Sequence, residues 1–305
     1  MITRTSNLML TRNAQQNLQA NMSRLAKLQE QAQTSSAITR PSDDPAGTAD
    51  ALKVRAEMRA NTAYKGNITD ANSWLSTVDA ALTRTTDILT RIKDLALTAS
   101  TATATPANKA AIATEIEGLK KDLLGQANTS FLGRNIFAGN SDAGAAVVEN
   151  PPVPPATAPT YTFNGDGHGP VTRRIDANTT VRVDASAADV FGGGVNEPDV
   201  FAKLDSLVTA LRDNGDISTH LAGIDASTQK VITQQTDVGI RHARVLKAEE
   251  ANLEQSVSLE ARRSGIEDLD TAQVILDLKL QELAYQSSLA VTAKVLQPTL
   301  MDFLR

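Results

Sequence analysis

Ser42-Asp43-Asp44-Pro45-Ala46-Gly47 separates two helical patterns of different kinds. Asp44 is a favourable N-cap, because its carboxylate can accept a hydrogen bond from a free amide of the first helical turn. Pro45 suits the first helical position, where its missing N–H is not needed. One helix is therefore expected to end before this stretch and a second to begin within it. The predicted helix-start hinge consists of Arg40, Ser42, Asp43, Asp44, Pro45 and Gly47.

Two long segments carry apolar residues at heptad spacing. From residue 64 to residue 99 the apolar positions alternate at steps of four and three, which predicts a coiled-coil seam of about five heptads. Residues 217–264 repeat an apolar residue every seven positions, with Asn252 in the same register. We expect the second segment to return antiparallel against the first. The predicted rod seam comprises Leu75, Val78, Leu82, Leu89, Ile92, Val231, Val238 and Val245.

The composition changes between these two segments. A further helix is expected from Pro106, followed by a tight turn or short hairpin in residues 131–139. Five prolines crowd residues 151–159, and β-like runs follow at 161–163, 171–175 and 180–183, separated by turn residues. This pattern predicts a small β domain inserted into a helical protein.

The two chain ends predict a pair of terminal helices. Residues 6–36 have one narrow apolar stripe, whereas the last forty residues have apolar stripes on two faces. A helix that is apolar on two faces requires two partners, so we expect the N-terminal helix to cover one face and neighbouring subunits to cover the other. The predicted assembly interface comprises Leu18, Met22, Leu25, Leu276, Leu283, Tyr285, Leu289, Leu296 and Phe303.

Ordering these ends is expensive for a single subunit. Backbone entropy opposes folding by about 1–2 kcal/mol per residue, and a two-helix hairpin with one face unburied regains little of it. We therefore expect both ends to be disordered in the monomer and to become ordered on assembly.

Composition excludes several classes of protein. The 305 residues carry a net charge of −5 with the two signs mixed, which argues against nucleic-acid binding. There is no cysteine, so disulfides and thiolate metal sites are absent. The first residues lack the pattern of a cleaved signal peptide, and no stretch is apolar enough to insert into a membrane.

No residue pattern indicates an enzyme. His168, His220 and His242 are scattered, and none has the spacing of metal ligands. The glycine-rich run at residues 164–169 lacks both the acidic ladder of a calcium loop and the Lys-Ser/Thr of a phosphate-binding loop. We therefore expect no catalytic residue, no metal and no cofactor.

Two motifs resemble the flagellin superfamily. The run Arg40-Pro41-Ser42-Asp43-Asp44-Pro45-Ala46-Gly47 is similar to that family's element between terminal helix and rod, and Arg263-Ser264-Gly265-Ile266-Glu267-Asp268-Leu269-Asp270 to its C-terminal signature. Leu132-Gly133-Arg134-Asn135-Ile136-Phe137-Ala138-Gly139 and Asp237-Val238-Gly239-Ile240-Arg241 resemble its hook-filament junction branch. The sequence of residues 272–277 departs from the usual flagellin sequence, which favours the hook-filament junction branch over a filament subunit.

The resemblance implies a place in the bacterial flagellum. It implies extracellular localisation after export by the flagellar type III apparatus without a cleaved signal, and a cytoplasmic chaperone that shields the C-terminal segment. The implied partners are copies of the chain in a ring, a hook-side junction protein and flagellin. The alternatives are flagellin itself and, more remotely, a cytoplasmic coiled-coil scaffold.

Taken together, the sequence predicts a mainly α fold, with a long antiparallel coiled-coil rod and a small inserted all-β domain. The expected terminal helix pair is 1–42 with 265–305, the expected rod is 43–140 with 195–264, and the expected β domain is 141–194.

Overall fold

The structure, a computed structural model, describes residues 2–101, 105–152, 154, 158–165, 167–192 and 198–296. The chain folds into two compact units, one of Met1–Ala60 with Gln255–Arg305 and one of Asn61–Glu254. The helices are α1 (Ile2–Thr34), α2 (Pro45–Ala99), α3 (Pro106–Ala127), α4 (Ala187–Phe191), α5 (Val200–Arg212), α6 (Ser218–Glu267) and α7 (Thr271–Leu296). The strands are β1 (Ser130–Phe131), β2 (Arg134–Asn135), β3 (Val147–Asn150), β4 (Thr160–Phe163), β5 (Thr172–Arg174) and β6 (Thr180–Arg182). The predicted mainly α fold is confirmed.

Helices α2 and α6 run antiparallel in the unit Asn61–Glu254. Asn61 contacts Asn252 near one end of the unit, whereas Lys93 pairs with Asp225 towards the other. The side chains that repeat along the facing sides of the two helices are buried, as a coiled-coil seam requires. All eight residues of the predicted rod seam are among these buried side chains.

A second helical pair completes this core. Helix α3 begins at Pro106, where the Thr105 hydroxyl caps the helix by accepting a hydrogen bond from Asn108 N. Helix α5 packs against α3 and buries one face, which consists of Val200, Phe201, Leu204, Leu207, Val208 and Leu211. The apolar face of α5 thereby joins the core built by the long helices.

The predicted β segment, residues 141–194, contains the hairpins β3–β4 and β5–β6, and the turn or hairpin predicted at residues 131–139 coincides with the hairpin β1–β2. Strand β1 pairs with β2, β3 with β4 and β5 with β6, and each pair forms a sheet of two strands. The segment also contains the short helix α4, and strand β3 was not predicted. The buried side chains of the β segment belong to the same apolar cluster as those of α2, α3, α5 and α6. The predicted three-part division of the chain differs from the two compact units and stays a prediction about assembly.

Polar contacts dock the hairpin β3–β4 onto the helices. The Tyr161 ring stacks on Phe201 at a centroid distance of 4.9 Å. Its hydroxyl donates to Asp205 Oδ2 at 2.9 Å, and Lys120 Nζ lies 2.6 Å from Asp205 Oδ1. Burial, together with the neighbouring Asp205, raises the pKa of Tyr161. The hairpin is thus fixed to α3 and α5 by a ring contact and a charge-assisted network.

In the other unit, α1 packs against α7. Helix α6 continues to Glu267, three residues beyond the predicted boundary of the terminal segment, and α7 begins at Thr271. The Asp270 carboxylate accepts hydrogen bonds from Ala272 N at 3.0 Å and Gln273 N at 3.2 Å. The chain therefore breaks between α6 and α7 with a capped restart, as it does before α2.

The seam predicts that replacing a buried leucine of α2 lowers the free energy of unfolding much more than replacing an exposed one. Leu82 is fully buried, and Leu97 is 44% exposed. We expect Leu82→Ala to lower the free energy of unfolding by about 2–5 kcal/mol, because a cavity replaces packed side-chain atoms. The matched Leu97→Ala should lower it by less than about 1 kcal/mol. Urea unfolding of the full chain measures both, and equal effects would contradict the assigned seam.

Candidate assembly surface

One face of α7 meets α1. Gln281 Nε2 donates to Asn21 O at 3.2 Å and lies 3.3 Å from Asn21 Oδ1. The residues of α7 on the same side as Gln281 are buried or half-buried, and they are Val274, Leu278, Tyr285, Ser288 and Thr292. On α1, the predicted interface residues Leu18 and Leu25 are half-buried.

Another face of α7 is apolar and exposed. Leu276 is 56% exposed and Leu283 is 65% exposed. Further large exposed apolar side chains on α7 are Ile275, Leu280, Leu289 and Val291, and Met22 is exposed on α1. A group of large apolar side chains open to water is typical of an interaction surface.

The two predicted stripes of α7 are therefore divided between two environments. Leu276 and Leu283 are exposed, whereas Leu278 and Tyr285 are half-buried. Leu289 is also exposed, because Ser288 and Thr292 occupy the turn that faces α1. The Leu296 side chain and Phe303 lie outside the described part of the chain. The interface role of all these residues stays a prediction, as does the expected ordering of the termini on assembly.

A second line of exposed apolar side chains follows α6 in the unit Asn61–Glu254. It contains Ile232, Ile240, Leu246 and Leu253. Ile232, Leu246 and Leu253 are separated by multiples of seven residues, so they lie on one side of α6, next to the buried seam.

The hinge before α2 is built around Asp44. Its Oδ1 accepts a hydrogen bond from Gly47 N at 2.9 Å, and Pro45 is the first residue of the helix. A Cβ at Gly47 would lie 2.4 Å from Asp44 Oδ2 and 2.9 Å from Ile38 Cδ1. Glycine is therefore required at position 47 because the cap and Ile38 approach so closely.

The other hinge residues tie the connector to α1. The Thr39 hydroxyl donates to Asp43 Oδ2 at 3.0 Å, and Lys27 Nζ lies 3.4 Å from Asp43 Oδ1. The hydrogen bond from Thr39, with Lys27 nearby, lowers the pKa of the Asp43 carboxyl. Arg40 pairs with Glu30 at 3.2 Å in an exposed position, and Ser42 is exposed.

The two helix breaks lie side by side. Ser36 and Asp268 form an antiparallel bridge, and Ala37 N donates to Glu267 O at 2.9 Å. The connector after α1 and the connector after α6 are thus joined by backbone hydrogen bonds. The two helix breaks therefore lie next to each other.

Glu267 holds this junction together. Its carboxylate forms an ion pair with Arg55, whose Nη2 donates a hydrogen bond to Oε2 at 2.9 Å and whose Nε lies 2.7 Å from Oε1. Arg263 Nη1 lies 3.4 Å from Glu267 Oε2, while its Nη2 lies 2.8 Å from Glu260 Oε1. These carboxylates, Glu260 first among them, raise the pKa of Arg263. Sequence reasoning missed the role of Glu267, because its partner Arg55 lies 212 positions away along the chain.

The described residues offer no metal-binding cluster. Within the ranges given above, no group of three or more His, Asp or Glu side chains is arranged to hold a metal ion. His242 Nε2 lies 2.6 Å from Asn72 Oδ1, a contact that joins α6 to α2. Asp43 and Asp44 belong to the helix-start hinge, where Asp43 accepts a hydrogen bond from Thr39 and Asp44 caps α2. Across the part of the chain that the structure covers, none of the helices combines the length and hydropathy that crossing a bilayer requires.

Two family models match the two ends of the chain. The bacterial flagellin N-terminal helical region matches residues 5–142, and the bacterial flagellin C-terminal helical region matches residues 221–304. The chain belongs to the flagellin family. The first match spans α2, α3, the hairpin β1–β2 and nearly all of α1, and the second spans α7 and most of α6. The hairpins β3–β4 and β5–β6 lie outside both.

Individual members of the flagellin family are similar over most of their length. Flagellar hook-associated protein 3 of Salmonella typhimurium is 25% identical over 286 residues, which are 86% of this chain and 87% of that protein. Flagellin of Bacillus subtilis is 28% identical over 298 residues, which are 92% of each chain. The crystal structure of the flagellar junction protein FlgL from Legionella pneumophila has a similar fold. It covers 72% of this chain and 100% of its own, with a TM-score of 0.58 at 15% identity.

The Glu267 junction yields a local prediction. We expect Glu267→Gln to weaken the contacts with Arg55 and Arg263 by about 1–2 kcal/mol, a modest value because Arg55 is largely exposed. Amide exchange at Ala37 and in the last turn of α6 should then become faster by about tenfold.

Hydrogen–deuterium exchange of the full chain measures this effect. Peptides from residues 61–254 are the internal control and should exchange at the same rate in both proteins. Unchanged exchange at Ala37 would show that Glu267 does not hold the two connectors together.

Proposed function

We propose that this chain is a structural subunit of the bacterial flagellum that joins the hook to the filament. The observation that carries the proposal is the pairing of flagellin-type terminal helices, α1 with α7, which leaves a leucine-rich face of α7 exposed. Similarity to a flagellar hook-associated protein 3 over nearly the whole chain supports it.

The terminal helices suit a subunit that is completed by its neighbours. Helix α1 covers one face of α7, and the exposed face carrying Leu276 and Leu283 requires another apolar partner. Burying one leucine side chain contributes about 1.5–3 kcal/mol, so several such contacts per subunit favour a closed ring of copies. The same leucines would need a covering chaperone before export by the flagellar type III apparatus.

A junction subunit has different neighbours on its two sides. We infer a hook-side junction protein on one side and flagellin on the other, with copies of this chain completing the ring. The likeness in fold to the junction protein FlgL of Legionella pneumophila supports this position. No step of the proposed function requires a cofactor or catalytic residue.

Flagellin is the second candidate function. The flagellin of Bacillus subtilis is 28% identical over 92% of each chain, and a filament subunit would present the same terminal helices. The two candidates differ in where the protein lies along the flagellum and in how many copies are present.

Antibody labelling of isolated flagella distinguishes the two candidates. We expect gold label confined to a single band between hook and filament, because a junction subunit forms one short segment. Label along the entire filament would establish the flagellin alternative. Protein found only inside cells, with unlabelled flagella, would contradict both and favour a cytoplasmic scaffold.

The exposed face of α7 yields a direct test of assembly. We expect Leu276→Asp or Leu283→Asp to reduce incorporation into flagella by at least about tenfold, since a carboxylate would be buried against an apolar neighbour. The rod should remain folded, because neither leucine belongs to the core of the unit Asn61–Glu254.

The matched controls are Leu276→Met and Leu283→Met, which change the same side chains but keep them apolar and of similar volume. Both should assemble as the unmodified protein does. Immunoblots of sheared flagella measure incorporation, and urea unfolding checks the rod. Full incorporation of Leu276→Asp and Leu283→Asp would show that this face is not an interface.

A further inference from the structure

Each of the two long helices carries buried side chains spaced seven residues apart. In each helix one member of this series is an asparagine and the others are apolar. On α2 the series in the unit Asn61–Glu254 is Asn61, Ile68, Leu75, Leu82, Leu89 and Ala96. On α6 it is Ile224, Val231, Val238, Val245 and Asn252, and Ile217, directly before the helix, is buried at the same spacing. Each of these side chains is at most 9% exposed, and the two asparagines are the polar members.

The two asparagines meet in one layer. Asn61 Nδ2 donates to Asn252 O at 3.1 Å, and Asn252 Nδ2 donates to Asn61 O at 3.0 Å. Asn252 Nδ2 also lies 2.6 Å from Asn61 Oδ1. Each amide thus finds its partner on the opposite helix, which satisfies both buried polar groups.

The apolar layers alone distinguish poorly between registers. With Asn61 opposite Asn252, the antiparallel steps of seven place Leu75 opposite Val238 and Leu82 opposite Val231. A slip of one heptad would place Leu75 opposite Val245, which is again a leucine facing a valine. Since side-chain volume and polarity would hardly change, these layers contribute little to the choice of register.

The asparagine layer distinguishes between registers strongly. A slip in one direction places Asn252 opposite Ile68, and a slip in the other places Asn61 opposite Val245. Either slip leaves a buried amide without a partner, which is far less favourable than a fully bonded one. A single buried asparagine is known to fix the register of coiled coils in this way.

Other polar contacts between α2 and α6, including the part-buried Asn72–His242 contact, are more accessible to water than the buried asparagine layer. Gln235 Nε2 donates to Thr83 Oγ1 at 3.0 Å, and Lys93 pairs with Asp225 where both side chains are over one third exposed. Exposed pairs of this kind contribute little net energy, because water replaces them. The buried layer therefore has the larger influence on register.

We propose that the Asn61–Asn252 layer sets the axial register of α2 against α6 and that it lowers the stability of the rod relative to an apolar layer. This inference goes beyond the proposed function and holds whichever flagellar position the protein occupies. The role of the layer is to fix the position of α2 along the axis of α6, and with it the positions of the exposed side chains of both helices relative to each other.

Unfolding midpoints test the pairing first. Asn61→Leu or Asn252→Leu alone should lower the urea midpoint, because each leaves one buried amide unpaired. The double variant Asn61→Leu/Asn252→Leu should unfold at a higher urea concentration than the unmodified chain. Single variants as stable as the unmodified chain would overturn the proposal.

Engineered cysteines then report the register, since the natural chain has none. Asn72→Cys with His242→Cys reports the observed register, because these two side chains touch. Asn72→Cys combined with Glu249→Cys or with Gln235→Cys reports a slip of one heptad in either direction. Each full-length pair is refolded from urea and treated with a short bifunctional maleimide.

With both asparagines present, only the native pair should cross-link above background. With both replaced by leucine, a slipped pair should reach about one tenth or more of the native yield, because the largest penalty against slipping is gone. Cross-linking confined to the native pair in the double variant would overturn the proposal, because other contacts would then set the register.

Thr85→Val is the matched control. Thr85 is fully buried on α2, and its hydroxyl has no hydrogen-bond partner among the described residues. This variant makes the seam more apolar without removing an interhelical polar pair, so it should cross-link only in the native register. A slipped product from Thr85→Val would show that apolarity, and not the asparagine layer, decides the register.

Discussion

The rest of the structure depends on the burial, between α2 and α6, of side chains that are spaced seven residues apart on each helix. Each helix alone is an amphipathic segment that would not be stable in water, and most of its stability comes from the packed face. Once the two are joined, they present the surfaces on which α3, α5 and the short hairpins pack. Those elements have too little apolar surface to fold alone, which explains why their buried side chains belong to the same cluster.

The unit that contains the chain ends is organised by polar contacts at the two helix breaks. The Asp44 cap and the Ala37–Glu267 backbone bond fix where the chain changes direction. Glu267 adds side-chain contacts to α2 and α6 through Arg55 and Arg263. This arrangement lets α1 and α7 meet while leaving the leucines of α7 exposed, which is an unfavourable state for a free monomer and a useful one for an assembling subunit.

Polar groups have different roles in the two units. At the breaks, partly exposed charges hold connectors together and contribute modestly to stability. In the seam, the buried layer of Asn61 and Asn252 contributes specificity, because its alternatives leave amides unpaired. Apolar burial therefore supplies the bulk of the stability, and a few polar contacts decide the geometry.

Local patterns in the sequence determined much of this protein. Heptad spacing predicted both long helices and the buried residues of the seam, and the Asp44-Pro45 pair predicted the start of α2, because periodicity and capping depend on residues within one or two turns. The two-faced character of α7 followed from the same kind of pattern, and the motifs at both ends indicated the flagellin family.

Only the tertiary structure decided which distant residues meet. The pairing of Arg55 with Glu267 joins positions 212 apart, and that of Asn61 with Asn252 joins positions 191 apart. The burial of Val274, the exposure of Leu289 and the pairing of β3 with β4 also depend on neighbours that are remote in the chain. The sequence determined which faces are apolar, since that is local, whereas the structure decided what covers each face, since that depends on packing between segments.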